Sequence, residues 1–320
     1  METVLAAPVS KLQSPVSAMN ETVLIGTRIS RLALWQAHHI QQQLETQWPG
    51  LACRLETFVT KGDKTLDKPL PQIGGKGLFT AELETALRDG RIDLAVHSLK
   101  DLPIEDIPGL TLGAIGSRAD VRDVLIAKNS WTLATLPEAA VVGTSSLRRQ
   151  SQLLAHRPDL KVCSIRGNVD TRIAKVLHGD YDAAVLAAAG VTRLEMEANI
   201  SQWLPLEVML PAPGQAALAV QCRADDKATL AILAAIDDQR TRACVTAERS
   251  FLAGLGGGCS LPVAAYARIE DEDIFLLGLV AADNGSMVIR VMGNGRDPQQ
   301  LGADLAQEAL AEGAEVLLYG

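Results

Sequence analysis

Apolar positions along this chain alternate between strand-like and helix-like spacing. Residues 22–27 form a short apolar run that predicts a strand, and Ser30 after it is a plausible helix N-cap. Leu32, Trp35, Ile40 and Leu44 then mark one helical face, and Cys53, Leu55, Thr57 and Val59 alternate as in a strand. Residues 79–88 read as a helix closed by Gly90, and 92–96 as a buried strand. The succession then returns, with strands at 140–143, 160–165 and 183–188 and helices at 146–155 and 169–177, the latter ended by Gly179. Strands alternating with helices predict parallel sheets with helices on their faces, here in two lobes. Segments near 115–121 and 210–217 link them.

From about Thr241 the pattern changes. A helix to Leu255 precedes strands at 264–269, 274–280 and 287–291, with Asp283-Asn284-Gly285 as a hairpin turn and an amphipathic helix at 297–312. The fold class expected is therefore α/β, two lobes with mainly parallel sheets plus a smaller α+β C-terminal domain. A ligand belongs in the cleft between such lobes, at strand carboxyl ends. The polar stretch 61–77 carries four glycines and two prolines, and a loop of that length is expected to serve as a lid.

Composition narrows the function classes. A chain of 320 residues with 48% hydrophobic and 21% charged residues is globular and long enough for two or three domains. Net charge of −8 argues against a nonspecific nucleic-acid surface, and 3% aromatics argue against base-stacking platforms. Arginine clusters in so acidic a chain therefore read as a local pocket. The five cysteines (Cys53, Cys163, Cys222, Cys244, Cys259) are scattered, without zinc-like or disulfide spacing, which fits a reducing, cytoplasmic setting. Residues 1–20 read as a disordered leader or an alternative start, and no apolar run approaches the ~20 residues of a membrane span.

The candidate chemistry sits at predicted strand ends. Ser98, Lys100 and Asp101 directly follow the strand at 92–96. His97 beside them is either a general base or a packed histidine. Thr144, Ser145 and Ser146 open a helix with Arg148 and Arg149, an N-terminus suited to anions. Adjacent arginines project in different directions around a helix, so both serve one ligand only if it is large. Arg166 and Arg172 repeat the design after the next strand, and Arg28 with Ser30 stand at the first. Arginine pairs bidentately with carboxylates, and neither a Walker loop nor an early GxGxxG supports a phosphate ligand. Cys259 follows three glycines, which either form a flexible loop around an inert thiol or clear space for a bulky group on the sulfur.

Taken in order, these segments resemble the porphobilinogen deaminase (hydroxymethylbilane synthase) family. The resemblance runs through Gly26-Thr27-Arg28, Leu32 to Ala37, Gly74 to Phe79, His97 to Pro103, Gly143 to Gln150, Arg166 to Arg172, Leu186 to Leu194, Pro211 to Leu218 and Gly257 to Pro262. It implies two lobes similar to periplasmic binding proteins, residues 21–116 with 217–236 and residues 117–216, and a C-terminal domain at 237–320. It also implies a dipyrromethane cofactor held by a thioether to Cys259, porphobilinogen as substrate, no metal, no nucleic-acid or membrane partner, and a monomer. By the same resemblance Asp101 is catalytic; Lys100, Thr144, Ser146, Arg148 and Arg149 hold the cofactor; and Arg28, Ser30, Arg166, Arg172, Arg193 and Lys76 contact substrate, Lys76 from the lid. Ile29, Arg31, Ala216 and Gln221 depart from residues frequent in the family. Two rival readings, a solute-binding protein and a cysteine acyl transferase, account less well for Cys259, the latter because no histidine lies near it in sequence.

Overall fold

The computed structural model describes residues 22–64, 78, 80–257 and 261–319. The leader, most of the predicted lid including Lys76, and Cys259 lie outside the described residues.

The chain opens with β1 (Thr22–Arg28), α1 (Arg31–Gln47), β2 (Ala52–Phe58), the short helix α2 (Lys61–Lys64), α3 (Ala81–Arg88), β3 (Leu94–Ser98) and β4 (Leu110–Ile115). It crosses to a second sheet through β5 (Asp123–Ala127), β6 (Val141–Gly143), α4 (Leu147–His156), β7 (Lys161–Cys163), α5 (Val169–His178), β8 (Ala183–Ala187), α6 (Ala188–Arg193) and β9 (Gln202–Trp203). It then returns through β10 (Leu218–Arg223) and α7 (Lys227–Leu233). The remainder is α8 (Gln239–Gly254), β11 (Val263–Glu270), β12 (Asp273–Ala281), β13 (Val288–Gly295), α9 (Pro298–Ala311) and α10 (Ala314–Tyr319).

Three sheets result, ordered β2-β1-β3-β10-β4, β7-β6-β8-β5-β9 and β11-β12-β13. In each large sheet three neighbouring strands are parallel, and one strand supplied by a crossing, β10 or β5, runs against both its neighbours. Both sheets are thus mainly parallel in direction, as expected, while β10 and β5 went unforeseen. Apolar runs such as Leu218-Ala219-Val220 fit a sheet interior of either polarity, and direction is decided by which way the chain re-enters. The third sheet is an antiparallel meander covered by α8 and α9, with Phe251, Leu276, Leu305 and Ala306 in its core.

Local signals held closely. The Ser30 hydroxyl accepts from the Ala33 amide and Asp297 caps α9 through the Gln299 and Gln300 amides. One helical face differs from expectation: α1 buries Ala33, Gln36, Ala37, Ile40 and Leu44, leaving Trp35 partly exposed. Gln36 turns inward because its amide donates to the Ser98 hydroxyl at 2.9 Å. The first four residues of the predicted polar loop are the helix α2. Among the described residues no helix is long and apolar enough to cross a membrane.

Candidate active site

The carboxyl ends of β1, β3, β6 and β7 open toward the crossings between the two large sheets. Past β3 the chain makes one 3₁₀ turn, Leu99–Asp101. Leu99 is fully buried and its amide donates to the Ala217 carbonyl at 3.0 Å. Gly214 permits this approach, since a Cβ there would lie 2.9 Å from Leu99 Cγ. Beyond the turn, Arg249 of α8 donates to the Pro103 carbonyl at 2.6 Å. The turn is therefore braced by the return crossing and by the C-terminal domain, yet Asp101 itself is exposed.

Lys100 donates to the Gln215 side-chain oxygen at 3.3 Å. The Gln215 amide in turn donates to the Val121 carbonyl at 2.7 Å and to Asp123 at 2.9 Å. Burial and the charge of Arg149 push the Lys100 amine down to about 8, against the opposing pull of Asp101 and Asp123. His97 is the packed histidine of the two alternatives. Burial pushes its imidazole down to about 4, against the opposing influence of the nearby Gln221 side chain, so it is neutral at pH 7.

Arg148 and Arg149 behave differently from the sequence reading. Instead of pointing apart, both guanidiniums turn onto one carboxylate, Asp123, each at 2.8 Å. Asp123 is fully buried; burial would raise its pKa, but the two arginines and Lys100 overcome this and hold it far below the carboxylate range. Arg148 also donates to the Leu210 carbonyl and Arg149 to the Val185 carbonyl. The Nε of each has no hydrogen-bond partner among the described residues. Asp123 was missed in the sequence because it stands far from its partners; its one local signal was an acid at the start of an apolar run.

Thr144 is buried and its hydroxyl accepts from the Ser146 amide at 3.2 Å, while Ser146 is the N-cap of α4 and makes no side-chain cap bond. Arg172 donates to the Gly167 carbonyl at 2.8 Å. Burial, then Arg149 and Arg166, lower its pKa, and Asp101 raises it. Lys100, Arg148, Arg149, Arg166 and Arg172 thus share one electrostatic neighbourhood, in which Asp101 and Asp123 are the carboxylates that act on them most strongly among the described residues. This concentration of positive charge fits a bound group that carries several carboxylates.

Arg28 and Arg193, both expected to contact substrate, are held by groups of the protein itself. Arg28 is paired with Asp63 of α2, which also accepts from the Thr60 amide and hydroxyl. Arg193 donates to the Ala216 carbonyl at 2.8 Å and lies over the Trp35 ring, placing it at the lobe junction. The departures Ile29 and Arg31 are exposed, and Arg31 reaches Asp170 across the cleft at 3.7 Å. Gln221 is buried in β10, opposite Ala95 of β3.

Described atoms at the end of α8 approach the Asp101 turn. A Cβ on Gly257 would lie 3.4 Å from Ile104 Cδ1. The chain therefore enters the segment that carries Cys259 next to the residues that follow Asp101.

Residues 23–231 match the family model for the porphobilinogen deaminase dipyrromethane cofactor binding domain, and residues 242–311 match the porphobilinogen deaminase C-terminal domain. A protein named porphobilinogen deaminase from a Roseiflexus species is 50% identical over 303 residues, covering 94% of this chain and 100% of the relative. One of the same name from Brevibacillus brevis is 50% identical over 291 residues, covering 91% and 94%. Among solved structures, the VFT2 domain of Bordetella pertussis BvgS is similar at a TM-score of 0.43 and 16% identity, over 72% of this chain and 92% of that one. A likeness that loose carries no argument.

Proposed function

The chain belongs to the porphobilinogen deaminase family, and on that premise we propose how its residues divide the work of joining porphobilinogen units with loss of ammonia. The enzyme is a transferase of tetrapyrrole biosynthesis with a dipyrromethane cofactor. When bound, the cofactor supplies the free pyrrole α-carbon on which four units are added before water releases linear hydroxymethylbilane.

In this reading Cys259 is the thioether attachment point. Lys100, Arg148 and Arg149 set the positive field that receives the cofactor's carboxylates, with Thr144 and Ser146 at the same helix N-terminus. Asp123 is their shared counter-ion; it stops buried guanidiniums from repelling one another and keeps their forks fixed. Arg166, Arg172 and Ser30 receive acetate and propionate groups of substrate or growing chain. Arg28 joins them by exchanging Asp63 for a substrate carboxylate, and Lys76 acts with the segment that follows. Arg193, held at the lobe junction by the Ala216 carbonyl and the Trp35 ring, contacts substrate or growing chain from there.

Asp101 is the catalytic group. As ammonia leaves and the new carbon–carbon bond forms, positive charge develops on pyrrole nitrogen, and a fixed carboxylate within hydrogen-bond reach stabilises it. The single observation that carries this assignment is an exposed aspartate on a turn braced from both sides, beside a cluster of cations whose buried counter-ion is Asp123. Only an acid placed there opposes a developing cation while its surroundings hold anions.

The division into 21–116 with 217–236, 117–216 and 237–320 is part of this reading, supported by the three sheets. So are a monomeric state and a cytoplasmic location, and the net charge of −8 supports the absence of a nucleic-acid partner.

Intact mass tests the proposal. The purified protein should exceed its sequence mass by a dipyrrole unit, and Cys259→Ser should lack the thioether adduct. An active protein of unmodified mass would overturn it.

A further inference from the structure

The residues C-terminal to position 311 lie outside both matched family regions, yet they reach the end of α8. Gly313, with φ of +100°, ends α9 and lets the chain turn into α10. Ala314 is fully buried, and Leu317 and Leu318 pack on the core of the C-terminal domain. That anchorage delivers Tyr319 to the end of α8, where its hydroxyl donates to the Leu255 carbonyl at 2.7 Å.

The last carbonyls of a helix have no intrahelical partner. Here the Gly256 amide donates to Ala253 and the Gly257 amide to Leu252, both at 3.0 Å, so local backbone serves those two. The Leu255 carbonyl is served instead by a side chain from 64 residues away. Gly256, with φ of +85°, is shaped to this contact as well as to its own turn, since a Cβ there would lie 2.1 Å from the Tyr319 hydroxyl. From this point the chain runs through Gly257, packed against Ile104, toward Cys259.

We propose that Tyr319 is a positioning residue for cofactor attachment: its hydroxyl fixes the Leu255 carbonyl, and thereby the backbone through Gly257 from which the chain continues to Cys259. The inference rests on the reading of Cys259 as the attachment point. It acts through one backbone bond at the root of the segment, so losing the hydroxyl should slow loading without altering how loaded enzyme binds substrate.

The test uses the full chain produced without porphobilinogen, then exposed to porphobilinogen while adduct formation is followed by intact mass. Tyr319→Phe keeps the ring and removes only the donor. It should form the adduct roughly three- to tenfold more slowly, the factor expected for one ordinary hydrogen bond. Its thermal midpoint should fall by no more than the loss of one hydrogen bond accounts for, and the KM of the loaded enzyme for porphobilinogen should match that of the parent. Removal of residues 314–320 should slow loading further. Parental loading by Tyr319→Phe overturns the proposal, including the case where only the truncation is slow, because the segment then acts by packing alone. A parent chain that forms no adduct defeats the Cys259 reading and this inference with it, an outcome distinct from normal loading by the variant.

Discussion

Arg118 and Glu248 meet in two parallel N–H···O bonds of 2.6 and 2.9 Å although 130 residues separate them. Glu248 is fully buried on α8 and also accepts from the Gly214 and Ala267 amides, both at 2.7 Å. Arg118 lies on the outgoing crossing and Gly214 on the return, so one carboxylate ties both crossings to the C-terminal domain. Arg118→Met leaves that carboxylate buried without its cation. Such a loss costs about 3–5 kcal/mol. Urea unfolding should show the drop in stability, and an unchanged midpoint would mean that the pair is not a joint.

Asp101 is where the chemistry is most exposed to test. Asp101→Asn keeps the size and removes the negative charge, which should lower turnover on the order of 10²–10³-fold. Asp101→Glu keeps the charge one methylene away and should retain more activity. Both should fold normally, because the bracing contacts of the turn come from Leu99 and Pro103. Parental ammonia release by Asp101→Asn would remove the assignment.

Lys100 gives a pH dependence of defined sign. Its folded pKa of about 8 lies below the ordinary 10.5, so the folded state holds this proton less tightly than the unfolded chain. The destabilisation from burying the charge is fully present below about pH 8 and is relieved as pH rises from there toward 10.5. Function should move the opposite way. Cofactor loading should fall as pH passes 8 and the amine loses its charge, whereas Lys100→Met should load more slowly at every pH without that step. Loading rates between pH 7 and 10, measured by mass, decide the point.

Ala216 sits at φ of +73°, in the left-handed region, where the family resemblance places a frequent glycine. The side chain costs about 1–2 kcal/mol there, against about 0.4–1 kcal/mol of unfolded-state entropy that glycine would add. Ala216→Gly should therefore stabilise by about 0.5 kcal/mol or slightly more, and Ala216→Val should destabilise. Chemical denaturation of the two variants checks the order.

Much of this protein follows from its sequence alone. The Ser30 cap, the alternation of strand and helix, the Asp283-Asn284-Gly285 hairpin turn of the third sheet and the placement of Lys100, Asp101, Arg148 and Arg149 at strand ends are all written in short windows. They depend on hydrogen bonds and periodicities that span a few residues. The tertiary structure decided the rest. That Arg148 and Arg149 share Asp123, that Gln215 links Asp123 to Lys100, that β10 runs against its neighbours and that Arg193 packs on Trp35 appear in no window. Partners such as Gln215 and Asp123 stand 92 residues apart. A charge reads the same in sequence whether it faces a ligand or a buried counter-ion. Only the path of the chain through both crossings determines which of the two it meets.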